Sequence, residues 1–148
     1  FATSYYYGGK ELKMPDIRLP DILFRNSISS SSAFRRSALY SVKGYQNNMK
    51  DGYEDWDFWI YFLESGFTAV RVEGALFNYR VVDGSRNATA NDKKKFLKKI
   101  IYLNHKKTYD KWRPSRALFI VYPFLKLLKL FGFNHPSIRA ISFFRALK

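Results

Sequence analysis

The chain has 148 residues, 47% of them hydrophobic and 19% aromatic, with no cysteine and a formal charge of +14. This composition excludes a disordered segment and any disulfide or thiolate metal site, and it suits one domain with a core of its own. The charge is uneven: residues 1–91 carry 11 Lys and Arg against 10 Asp and Glu, whereas residues 92–148 carry 15 against 2, so the second part implies an anionic partner.

Tyr5-Tyr6-Tyr7 is a β-prone run and Gly8-Gly9 a turn. Pro15 and Pro20, with Asp16 and Asp21, predict an extended connector as far as residue 25. Residues 26–34, with four consecutive serines before Ala33 and Phe34, have the composition of a linker but also fit a strand whose small side chains leave space beside it. Ser37 predicts the N-cap of a short helix reaching Val42 and closed by Gly44. Residues 46–53 read as polar loop.

From Glu54 the apolar residues recur at helical spacing, with Trp56, Trp59, Ile60 and Leu63 on one face and Phe58, Tyr61 and Phe62 on another. That predicts a mostly buried helix, beginning after the turn pair Asp51-Gly52 and ending at Gly66. Glu54, Asp55 and Asp57 then fall in its first turn, where unpaired N–H groups and the helix dipole favour ionised carboxylates. Capping accounts for one or two of the three. An ionised carboxylate at the rim of an apolar pocket is also what a general base needs, so both readings stand.

Residues 68–72 and 75–79 read as a hairpin turning at Glu73-Gly74. Asn87-Ala88-Thr89 spells a glycosylation sequon that nothing else in the chain supports. Residues 91–112 predict an amphipathic basic helix, with Phe96, Ile100, Ile101, Leu103 and Tyr109 as its stripe and His105 as a solvated surface residue. After a break at Trp112-Arg113-Pro114, residues 117–133 are apolar but interrupted by Pro123, Lys126 and Lys129. They are too short and too charged to span a bilayer. They suit a helix lying in a membrane interface and broken at Pro123, with Phe143-Phe144, Arg139 and Arg145 in a second one; packing on the domain is the rival.

Glu54-Asp55-Trp56-Asp57-Phe58-Trp59 resembles the acidic motif of inverting glycosyltransferases of family 2, whose nucleotide-sugar-binding fold is called GT-A. Upstream, Ser32-Ala33-Phe34-Arg35-Arg36-Ser37 and Val42-Lys43-Gly44-Tyr45 are similar to the family's small-residue strand, arginine-bearing turn and glycine stretch. Downstream, Glu73-Gly74-Ala75-Leu76-Phe77-Asn78-Tyr79-Arg80 and Ser85 resemble its tyrosine-arginine strand and trailing serine. Val82 departs from the pattern, since many members carry histidine there.

The resemblance implies an α/β fold in which residues 1–112 are the C-terminal, acceptor-side part of a GT-A mixed sheet flanked by helices. Residues 113–148 would follow as a basic helical tail. Asp55 would be the catalytic base, with Glu54, Trp56, Asp57, Arg35, Arg36, Ser32, Arg80 and Ser85 binding substrate. The two arginines would meet diphosphate or acceptor, or pair structurally with Glu54 or Asp57. In the family the nucleotide-binding half and its metal-binding aspartates precede this region. A divalent metal, Mg or Mn, is therefore expected in the full-length enzyme, with its main ligands outside this chain and the chain alone inactive. The implied partners are a nucleotide-sugar donor and a glycan or lipid-linked acceptor in cell-surface polysaccharide or glycolipid synthesis; the basic charge of the tail, independently of the resemblance, adds an anionic membrane surface. The implied place is the cytoplasm, peripheral at the inner face of the plasma membrane. A competing reading makes the chain an anionic-polymer or nucleic-acid binding module built on the basic tail. It is the weaker one, because the basic and aromatic residues follow helical stripes rather than a stacking platform.

Overall fold

A computed structural model describes residues 2–7, 10–13, 17–42, 44–79, 90, 92–130, 132, 135 and 137–147. Strands β1 (Ala2–Tyr7), β2 (Lys10–Lys13) and β3 (Val72–Tyr79) form a three-stranded sheet in the order β2-β1-β3. β2 runs antiparallel to β1 and β3 runs parallel to it. The β-prone tyrosines thus form the middle strand, and Tyr7 pairs with Lys10, while the expected turn at Gly8-Gly9 lies outside the described residues. The expected α/β class is met in part. Helices predominate, and the described strands make a small sheet rather than the wide GT-A sheet that the resemblance implies.

Two further expectations for the strands are corrected. Residues 68–79 are not a hairpin: Val72–Tyr79 is one strand, and Gly74, at φ +72°, accommodates an irregularity where the register with β1 shifts between Ala2 and Ser4. Residues 26–34 form no strand. Ser32 N–H donates to the Ser29 carbonyl at 3.1 Å, and the Ser29 and Ser31 hydroxyls lie 2.7 Å apart, so the serines close a local turn that competes with any ladder.

The expected connector before residue 25 contains helix α1 (Leu19–Phe24), with Pro20 in its first turn, where a proline's missing N–H costs nothing. α2 (Arg36–Leu39) is capped by Arg35 rather than Ser37, without a side-chain capping bond. The central helix, α3 (Glu54–Glu64), lies within the predicted bounds. It closes in a Schellman arrangement: Phe67 N–H reaches the Phe62 carbonyl at 3.1 Å, Gly66 N–H reaches that of Leu63 at 3.2 Å, and Gly66 has φ +85°. The Phe62 and Phe67 rings meet across it at 5.7 Å.

α4 (Lys94–Asn104) and α5 (Lys106–Lys111) replace one long predicted helix, parted at His105. Leu97, Ile101 and Tyr109 enter the core, while Phe96 and Leu103, assigned to the stripe, are exposed. α6 (Arg116–Leu130) continues through Pro123, which corrects the expected break. α7 (Ser137–Ala146) buries Ile138, Ala140, Ile141, Phe143 and Phe144, and the Phe143 ring stacks on Tyr109 at 4.7 Å. So α7 belongs to the same core as α1, α3 and α4, and Phe143 and Phe144 follow the packing alternative rather than entering a membrane interface.

Candidate functional site

The approach to α3 is fixed by backbone that few residues tolerate. Gly52 has φ +135°, and a Cβ there would lie 2.6 Å from Ala90 Cβ, so a glycine is needed for the loop to pass this closely. Tyr53 follows in the left-handed region, at φ 60°, and its ring rests edge-on against Trp56 at 5.6 Å. The chain then enters the helix with Glu54 and Asp55 at its open end.

Asp55 Oδ1 accepts two hydrogen bonds, from Asn26 Nδ2 at 3.1 Å and from Trp56 N–H at 2.7 Å. Burial pushes its pKa up, the Asn26 and Trp56 hydrogen bonds pull it down, and the neighbouring Glu54 charge pushes it up again; the net is upward. A partly desolvated, more basic carboxylate held by two donors is suited to accept a proton. Tyr45 and Tyr53 stand close enough for burial, and then the Asp55 charge, to raise their own pKa values, so both phenols stay protonated and able to donate. Tyr45 is 55% exposed, its ring 4.6 Å from Phe58. Asn26, Tyr45 and Tyr53 join this site only in space: Asn26 is 29 positions from Asp55, and no local spacing marks it.

Asp57 is placed otherwise than expected. It is 0% exposed, and its Oδ1 accepts from Asn104 Nδ2 at 2.7 Å and His105 Nε2 at 3.1 Å. His105 Nδ1 bonds Glu64 Oε2 at 2.8 Å on its other side, and the Tyr61 ring lies 4.2 Å away. Burial lowers the His105 pKa, but the bonds to Asp57 and Glu64 outweigh it and the net is upward. An imidazole that donates from both nitrogens is the charged form. Asp57 is therefore a structural partner of an imidazolium, not a substrate contact, and His105 is buried rather than solvated.

Trp56 is also corrected: it is buried, and its Nε1 donates to the Ile22 carbonyl at 2.6 Å, so its face is unavailable for a sugar. Arg36 is exposed and its Nε donates to the Tyr40 hydroxyl at 3.1 Å. Ser32 and Arg35 come together on a cavity of about 310 Å³, walled mainly by Phe34, Trp59, Phe62 and Val70. Trp59 stands one helical turn after Asp55, so this cavity opens along the same side of α3. Ser32 Oγ and Trp59 Nε1 are buried there without a hydrogen-bond partner among the described residues. Arg80 and Ser85 lie outside the described residues.

Among the described residues no group of three or more His, Asp and Glu side chains is arranged to hold a metal ion. Comparison of the chain with protein-family models, with curated proteins and with solved structures finds no match.

Proposed function

We propose that this chain is the acceptor-side part of an inverting GT-A glycosyltransferase in which Asp55 is the general base. The observation that carries the reading is the state of Asp55: partly buried at the start of α3, held there by hydrogen bonds from Asn26 and the Trp56 N–H, and with its pKa raised. In the reaction, Asp55 takes the proton of an acceptor hydroxyl while that oxygen attacks the sugar C1 and the nucleoside diphosphate leaves from the opposite face. Tyr45 and Tyr53 supply donors beside the carboxylate, and Glu54 flanks it. Ser32 and Arg35 offer a hydroxyl and a cation to whatever enters the neighbouring cavity. The divalent ion belongs, in this proposal, to the family's aspartates elsewhere in the enzyme, and no step above passes through it. A nucleotide-sugar donor places the work in the cytoplasm, on a glycan or lipid-linked acceptor.

The test is sugar transfer by the enzyme containing this chain, with Asp55→Asn against the parent. Losing a positioned base should lower kcat by about a hundredfold to ten-thousandfold while donor binding is kept. Transfer at the parental rate refutes the assignment.

A further inference from the structure

Helix α6 presents a face that nothing in the described structure covers. Ile120 is 79% exposed, Phe124 60%, Leu127 52% and Leu130 81%, with Val121 also exposed. At about 100° per residue these five, together with exposed Pro123, fill roughly half the circumference of the helix. From Ile120 to Leu130 that half carries no charge, and the charged positions, Lys126 and Lys129, lie outside it. The other side of α6 is held to the domain: Phe119 packs on the core, and the Arg145 guanidinium of α7 lies 5.0 Å over the Tyr122 ring. The face is thus presented outward by a fixed helix. A contiguous exposed apolar patch of this kind marks a docking surface.

The charges around it select the occupant. Residues 114–148 contain six Lys and Arg and no Asp or Glu, and Lys126, Lys129, Arg139 and Arg145 are all exposed. Such a field repels a second copy of the same surface and attracts an anionic one. α6, at 15 residues, is roughly 22 Å long, short of the ~30 Å hydrocarbon core. Among the described residues no helix is long and apolar enough to cross a membrane. We propose that α6 lies in the plane of an anionic membrane surface, with Ile120, Phe124, Leu127 and Leu130 among the acyl chains and the neighbouring cations at the headgroups. This goes beyond the proposed transferase activity and stands without it.

Vesicle co-sedimentation tests it. The full chain should bind phosphatidylcholine vesicles containing about one quarter phosphatidylglycerol, and not pure phosphatidylcholine. Ile120→Ser/Phe124→Ser/Leu127→Ser, at exposed positions where folding should be spared, should weaken binding by about tenfold or more. Lys126→Glu/Lys129→Glu should do the same by charge alone, with circular dichroism unchanged in both variants. Failure of the parent to bind, or triple-serine binding equal to the parent's, overturns the proposal. A parent that is dimeric, binds no vesicles and becomes monomeric in the triple variant overturns it in favour of a second copy. Binding to duplex DNA in place of anionic vesicles overturns it in favour of nucleic acid.

Discussion

Asp55 and Asp57 lie two residues apart, which on a helix turns their side chains roughly 200° from each other. One therefore faces the open end of α3 and the other faces the core. For Asp57 the consequence is a stability term. The folded chain holds the His105 proton more tightly than the unfolded chain, whose value is near 6.5. That stabilisation is complete below about 6.5 and fades as pH rises through the elevated folded value. Thermal stability should thus decline over that window, and His105→Gln should flatten the decline; an unchanged slope in the variant counts against a charged His105. Asp57→Ala leaves the buried imidazolium with Glu64 alone and should cost about 3 kcal/mol in urea unfolding. For Asp55 the pKa is also raised, but here the form that the fold favours is the neutral one. Its raised pKa means that ionisation opposes folding at neutral pH, so Asp55→Asn, which keeps the shape and can accept the same two donors, should melt no lower than the parent. A fall in Tm of more than about 4 °C would instead make Asp55 a structural cap.

At the scale of elements, α3 is positioned by its two ends. Its C-terminal end closes with the Gly66 arrangement and the Phe62–Phe67 contact, a local device. Its N-terminal end depends on Gly52 passing against Ala90 and Leu97 of α4, whose Cδ1 would lie 3.6 Å from a Cβ at position 52. Gly52→Ala brings both a clash and a disfavoured φ, and should destabilise the chain by about 2 kcal/mol or more. Gly44→Ala is the comparison: φ is +66° but no atom of the described residues lies within 4 Å of the added Cβ, so its cost should stay near about 1 kcal/mol. Equal urea midpoints for the two variants would remove Ala90 from the account. The same close approach ties the acidic helix to α4, so Gly52→Ala should also disturb Asp55.

For the whole molecule the governing quantity is a charge of +14, concentrated in the second part of the chain. Lys94, Lys95 and Lys99 on α4 and Lys107 on α5 are exposed and mutually repulsive. Screening should relieve that repulsion while leaving the buried His105 pairs almost untouched. Tm at neutral pH should therefore rise when salt is added from about 0.01 M to about 0.15 M; a fall would mean that surface ion pairs, such as Lys93 with Asp51 at 3.0 Å, outweigh the net repulsion.

The sequence by itself determined α3, its Gly66 terminus, the placement of three acids in its first turn and the basic helices after residue 91. All of these depend on interactions within a few residues, and periodicity and capping chemistry record such interactions directly. Only the tertiary structure decided which acid faces outward, that His105 is buried between Asp57 and Glu64, and that Asn26 holds Asp55. The same is true of α7, whose phenylalanines enter the core, and of α6, whose apolar half does not. Those outcomes depend on partners 29 to 48 positions away, or on which side of an apolar helix finds a neighbour, and neither leaves a periodic trace in the chain.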